Sequence, residues 1–441
     1  MTLLLLLVIL LSLIIIIGMV NTKFFKMPAD IALVAFSLVI GIILVAPGHF
    51  GWWHWDVEFI TEVDIEHFLL EGVLCFMLFS GASKVHFSKF ISNIKPIVLL
   101  ALLTTLLSST FYGALFYLFA MATGLPLDFW TCVLLGCIVS PTDPIAATSI
   151  LNKLGLSKSV TSVIEGESLF NDGTGVVLFV FVKSMVGAGA QENFLVLLGK
   201  EVLGAFAVGL GVSFLTFELF KRSKDPMQQI FISLVNVASV YILCEHCGFS
   251  GILASVVCGM FYAFRCEKIK REREVYDHNH LYSEFWDIID TILNSILFVL
   301  LGITAFSHAF SEYIWLLVPS AILISLCARL FGVTASSLIV GRKQLPSNYS
   351  LMEFVCLMTW SALRGGLSLA LVLGCREFLA NDVYLILLNV TYLTVFFTIL
   401  VQGLTTGKVY RIIEKKKLKR NIEERRIHAL LERPEKTVVE E

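Results

Sequence analysis

The chain has 441 residues, of which 57% are hydrophobic and only 15% charged, a balance far more apolar than water-soluble folds carry. Its 33 Lys+Arg against 35 Asp+Glu leave no basic excess to neutralise phosphates, which excludes a nucleic-acid binder driven by bulk charge. The composition is that of an all-α polytopic membrane protein, in which the placement of the few charges carries the information.

A bilayer-crossing helix needs about 20 mostly apolar residues. On that criterion the sequence predicts thirteen spans, near residues 3–20, 30–47, 67–87, 96–122, 128–151, 160–186, 194–220, 227–245, 249–265, 284–307, 313–340, 351–373 and 384–407. The first is read as a retained span: no base precedes it, no small-residue cleavage site ends it, and Lys23 and Lys26 follow it. The loop after span 2 carries Trp52, Trp53 and Trp55, as an interfacial belt would, and acids from Asp56 to Glu66 without a base. Taking alternate connections as cytoplasmic collects most of the basic residues, among them Lys84, Lys89, Lys95, Lys221, Arg222, Lys268, Arg271 and Arg342, whereas the outer connections hold only Arg376. The predicted topology is therefore N-out/C-in. Residues 1–407 form the transmembrane domain, and 408–441 form a short charged cytoplasmic tail, read as a solvated topology anchor in preference to a lipid or partner site. His278 and His280, in the charged loop before span 10, are read as solvated. The ten cysteines are read as packing residues, including Cys244 and Cys247, whose C-x-x-C spacing beside His246 has no second pair to complete a metal site.

Charges inside spans are costly, at least about 2.5–3.5 kcal/mol each near the bilayer centre, so they mark pathways or internal pairs. Span 5 contains Ser140-Pro141-Thr142-Asp143-Pro144, with its carboxylate about eight residues, or roughly 12 Å, from the inner edge. Two prolines around an acid break the helix and free the carbonyls of Cys137 and Ser140. Non-helical backbone at this depth lines a cavity or is buried in protein, so a break beside an acid reads as a cation site. Span 6 contributes Glu165-Gly166-Glu167-Ser168-Leu169-Phe170-Asn171-Asp172-Gly173, in which Ser168 and Asp172 share one helix face and Glu167 and Asn171 the next, so that the Ser168 hydroxyl, the Asn171 amide and the Asp172 carboxylate offer an alkali cation hard oxygen ligands. Asp172 lies about twelve residues, or roughly 18 Å, in, close to the midplane. The bland alternative, a self-satisfied polar interface, loses weight because two consecutive spans carry acids and one of them is broken. Arg329 in span 11 and Glu167 lie at similar depth and are expected to form a structural ion pair. Arg364 sits mid-span in Leu363-Arg364-Gly365-Gly366, where the double glycine predicts a second helix break beside a charge.

Spans 4–6 and 11–13 each place a broken, charge-bearing helix in the middle, and the seven-span offset gives the two sets opposite orientations. The expected architecture is two inverted six-helix repeats with crossed broken helices, spans 5 and 12, the arrangement of secondary transporters. The segments SPTDPIAA from Ser140, GESLFNDG from Gly166, FWDIIDTILNSILFVLLG from Phe285, LRGGLSLAL from Leu363 and VQGLT from Val401 resemble the NhaP-type sodium/proton antiporters, a family that includes the animal sodium/proton exchangers. The resemblance implies that Asp172 is the essential cation- and proton-binding carboxylate. It further implies that Ser168 and the Thr142 backbone are ligands, that Asp143 acts nearby partly through water, and that Asn171 replaces an acid found in two-carboxylate relatives. It implies a plasma (inner) membrane location and a homodimer, with spans 1–3 and 7–10 as scaffold and spans 4–6 and 11–13 as the moving transport core. The chain departs from many bacterial members at Ser80, where they carry an acid after the Leu-Phe of span 3.

The expected function is exchange of a monovalent cation for H+ by alternating access, 1:1 and electroneutral, with proton and cation competing for Asp172. Sodium is the expected substrate, and Li+ or K+ would meet the same carboxylate, hydroxyl and carbonyl ligands. No cofactor is expected. The alternatives are a cation channel or a K+/H+ antiporter, with a transport-dead sensor further off. An enzyme is disfavoured because no nucleophile elbow, triad or phosphate loop is present.

Overall fold

Every regular element among the described residues is helical. The computed structural model describes residues 2–49, 72–84, 94–143, 158–187, 194–273, 280–305, 313–342, 345 and 349–431. The residues Trp52, Trp53, Trp55, Pro144 and His278 singled out above lie outside them.

In chain order the helices are α1 (Thr2–Val20), α2 (Ala29–His49), α3 (Cys75–Ser83), α4 (Ile94–Thr123), α5 (Phe129–Val139), α6 (Lys158–Gly187), α7 (Phe194–Arg222) and α8 (Pro226–His246). They continue as α9 (Gly251–Arg273), α10 (His280–Thr304), α11 (Ile314–Val340), α12 (Leu351–Trp360), α13 (Gly366–Leu373), α14 (Asn381–Phe396) and α15 (Gly403–Leu431), with a π-helical segment, Phe397–Gln402, joining the last two. Among the described residues eight helices are long and apolar enough to cross a membrane, from Leu4–Phe25 to Asn381–Arg420. The outside of the bundle is greasy: Leu203, Leu215, Ile242, Leu323 and Trp315 are all exposed, as lipid-facing side chains are. Cys244 is buried and Cys247 exposed, and neither is in a disulfide.

Helices that gain nothing from burying apolar surface against lipid associate through small residues and interhelical hydrogen bonds. The packing of α11 along α4 shows this, with Thr104 Oγ1 and Ser336 Oγ 2.6 Å apart between them. Gly136 of α5 faces the Ser109 carbonyl of α4 so closely that a Cβ there would overlap it. α6 packs on both α4 and α5, forming a group with α11. A second group joins α7, α8 and α9, with α3 along α9, while α2 lies along α10.

Two helices stop short inside the bundle, for different reasons. α5 begins at Asp128, whose carboxylate accepts from the amides of Trp130 (3.0 Å) and Thr131 (3.3 Å), and it ends at Ser140 because Pro141 has no amide to continue the ladder. α12 starts from a reciprocal capping box between Ser350 and Glu353 and ends at Trp360; the chain then runs through Ser361–Gly365 before α13 begins.

Candidate ion-binding site

The two interruptions touch. The Asp143 amide donates to the Leu363 carbonyl at 2.8 Å, so backbone groups freed by one break are satisfied by the other. Arg364 donates Nη1 to the carbonyls of Ser140 and, at 3.1 Å, Pro141, placing a guanidinium on the C-terminal end of α5, where the helix dipole is negative. Its own amide is held by Thr398 Oγ1 at 3.1 Å, from the π-helical segment. Asp143 in turn lies against Gly365, at the positive end of α13. The C-terminal end of α5 and the N-terminal end of α13 thus each face a charge of the complementary sign.

Gly365 has an extended backbone that any residue adopts (φ −117°), so the constraint on it is spatial. A Cβ there would lie 2.8 Å from Asp143 Cβ and 3.0 Å from its Oδ2. Gly365→Ala is therefore expected to displace the carboxylate and slow transport by about tenfold, the scale of an overpacked contact. The control is Gly18→Ala, which meets nothing within 4 Å and is expected to transport like the parent in the same vesicles.

From α6, Asn171 clamps the span-5 break. Its Oδ1 accepts from the Thr142 amide (3.0 Å) and its Nδ2 donates to Thr142 Oγ1 (2.7 Å), while Thr142 Oγ1 and Ser168 Oγ are 3.0 Å apart. One turn earlier Glu167 receives both terminal nitrogens of Arg329 at 2.9 Å, a bidentate pair with side chains only 1% and 3% exposed. Asn171 also reaches Glu167 Oε1 at 3.4 Å, linking the ion pair to the break.

Thr142, Asp143 and Asp172 line one cavity of about 70 Å³, room for a cation and a water or two. Both carboxylates are half-buried because they face it. Asn171 and Ser168 bound the site through Thr142 rather than lining the cavity. Ser80 is fully buried and donates to the Trp286 carbonyl at 2.9 Å, so its hydroxyl serves the α3–α10 contact. The cavity has two polar lining residues that sequence reasoning passed over, Asp290 on α10 and Ser368 on α13. Asp290 could have been found: with Asp287 it puts two acids three residues apart in the tenth span, and acids within a span are functional candidates by default.

Two helix interruptions that meet beside a carboxylate-lined cavity, inside a bundle with an apolar exterior, define a multi-pass membrane transporter. Residues 8–411 match the family described as sodium/hydrogen exchanger, transmembrane. The chain is 31% identical over 404 residues to the Na(+)/H(+) antiporter NhaP of Pseudomonas aeruginosa, covering 89% of this chain and 93% of that protein. It is 31% identical over 395 residues to the Na(+)/H(+) antiporter NhaH of Halobacillus dabanensis, covering 87% and 91%. Its fold is similar to that of the sodium proton antiporter MjNhaP1 from Methanocaldococcus jannaschii, with a TM-score of 0.74 at 20% identity, over 94% of this chain and 99% of that one. The chain belongs to the sodium/hydrogen exchanger family, and so is a secondary transporter.

Proposed function

We propose that the protein exchanges Na+ for H+ across the plasma membrane by alternating access, with proton and cation competing for Asp172. The observation that carries this reading is the convergence of Asp172, Asp143 and Thr142 on one cavity at the crossing of two helix breaks. Curated relatives at 31% identity are named as Na(+)/H(+) antiporters, which favours sodium over potassium and exchange over a channel. Asp172 takes either ion; Thr142 supplies a hard oxygen ligand, backed by the Ser168 hydroxyl 3.0 Å from its Oγ1; Asp143 adds negative charge beside them. Asn171 holds the break in register, and Glu167–Arg329 and Arg364 are its structural supports. Thirteen spans, N-out/C-in, compose two inverted repeats, and a homodimer is built on the scaffold of spans 1–3 and 7–10.

Alternating access needs two routes to one site. A second cavity, of about 360 Å³, lies further along α6, lined by Lys183, Glu201, Glu245 and Glu377. Lys183 is eleven residues beyond Asp172, roughly 16 Å along the helix. On this reading the Asp172 cavity belongs to the inward route, beside α3 and α10, and the second cavity marks the outward one.

Because Asn171 stands beside Asp172 in place of a second acid, one proton replaces one monovalent cation and no net charge crosses. In proteoliposomes, a sodium gradient is expected to move protons at a rate unchanged when the membrane voltage is clamped with potassium and valinomycin. Transport that tracks the imposed voltage would show an unequal stoichiometry, and cation flux that no proton gradient can drive would show a channel.

A further inference from the structure

Asp290 has no part in the exchange cycle described above, yet its surroundings are built. It is only 6% exposed and lines the same cavity as Asp172 and Asp143. Its Oδ2 accepts from Lys84 Nζ at 2.7 Å and its Oδ1 from Asn294 Nδ2 at 3.2 Å. Lys84, which follows the last residue of α3, also reaches Asp287 Oδ1 at 3.0 Å. The Lys84 side chain is 36% exposed and that of Asp287 62%, against 9% for Asp290. The ion pair therefore runs from the lining of the cavity out to the surface.

A second polar residue that the exchange cycle does not use lines this cavity from α13. Ser368, on α13, is 1% exposed, lines the cavity, and its Oγ has no hydrogen-bond partner among the described residues. A buried hydroxyl left unsatisfied is costly, and an oxygen-seeking cation or its water entering the cavity would give it a partner. A carboxylate and an unclaimed hydroxyl on one small cavity offer hard oxygen donors with one positive charge already in place, the Lys84 ammonium.

We infer that Asp290 and Ser368 form an entry station for the transported monovalent cation ahead of Asp172, and that Lys84 is a tethered competitor for it. An ammonium and an alkali cation carry the same charge and seek the same oxygens. Being tethered, the ammonium is present at high effective concentration and holds the station until a cation displaces it. Displacement does not strand a buried charge, because Lys84 keeps its contact with exposed Asp287. The inference deepens the proposed exchange at Asp172 and rests on it.

The idea makes the two halves of one ion pair act with opposite signs. In proteoliposomes, Lys84→Gln removes the competitor and is expected to lower the apparent KM for Na+ about threefold. Asp290→Asn removes the attracting charge and is expected to raise it about tenfold, and the double variant should follow Asp290→Asn. Ser368→Ala should raise KM about threefold, as loss of one ligand hydrogen-bonding group does, with Ser368→Thr restoring it. These effects are expected in KM rather than kcat. A merely structural pair would be broken equally by either single change, so KM shifts of the same sign for Lys84→Gln and Asp290→Asn overturn the station, as does an unmoved KM in Asp290→Asn. The station is separated from exchange by working in the Asp172→Asn background. There Lys84→Gln should still lower the Na+ concentration that half-maximally raises the thermal midpoint in detergent, and no such shift overturns the station. Residual exchange by Asp172→Asn alone would instead sink the Asp172 reading.

Discussion

Asp172→Asn is expected to reduce sodium-driven proton movement in everted vesicles to the level of vesicles without the protein. The amide keeps the size of the carboxylate and one oxygen, so the cavity it shares with Thr142 and Asp143 should keep its shape. What it loses is the negative charge that a cation neutralises and the basic site a proton occupies, which are the same atoms. Removing both at once takes away the competition between proton and cation at one carboxylate on which exchange depends. Asp143→Asn is expected to be milder, because the Asp143 backbone still bonds Leu363 and the Asp172 carboxylate still binds. The parent protein should show the matching pH dependence. Protonation discharges Asp172, so cation binding weakens as the pH falls, by about tenfold in apparent KM per pH unit once the site is mostly protonated. Dye dequenching by Asp172→Asn comparable with the parent, or a cation KM indifferent to pH, would remove Asp172 from the centre of the mechanism.

Much of this site was legible in the sequence because membrane physics makes polar residues conspicuous. Pro141 has to end α5, and an acid two residues later has to be solvated by something. Glu167 and Arg329 were pairable from depth alone, since two opposite charges buried at one level are each too costly to leave single, and they are bidentate at 2.9 Å. Asn171 was legible as an amide beside Asp172 that could ligate the cation, whereas its side chain is committed to Thr142 and does not line the cavity. Its clamp on Thr142 depends on the path the backbone takes after the break, which periodicity does not encode. Asp290 was hidden for a related reason. Its partner Lys84 is 206 residues away and reads locally as a loop charge that sets topology, so neither residue announces the other. The departure at Ser80 was legible as a missing acid, but that the hydroxyl is spent on the Trp286 carbonyl is a property of how α3 meets α10.

Breaking the Glu167–Arg329 pair from one side should do more damage than deleting it. With Glu167→Gln, Arg329 keeps its charge while 3% exposed and loses its acidic partner among the described residues, and a buried charge left without its counterion costs about 3–5 kcal/mol. The expected result is a marked fall in the thermal midpoint of the purified protein, together with lost exchange, because Asn171 reaches Glu167 and holds the span-5 break through Thr142. Arg329→Met should be comparably harmful, since it leaves the carboxylate buried beside Asp172. Replacing both, Glu167→Gln with Arg329→Met, removes the uncompensated charge while filling most of the volume, and should recover most of the stability of either single variant. Transport by the double variant then decides what the pair is for. Exchange returning with stability means that Glu167 and Arg329 only fasten α6 to α11, whereas a stable double variant that exchanges nothing would give one of the two charges a direct part in moving the ions. The geometry favours the first outcome: both terminal nitrogens of Arg329 are committed to Glu167, and neither residue lines the cavity that Asp172 faces.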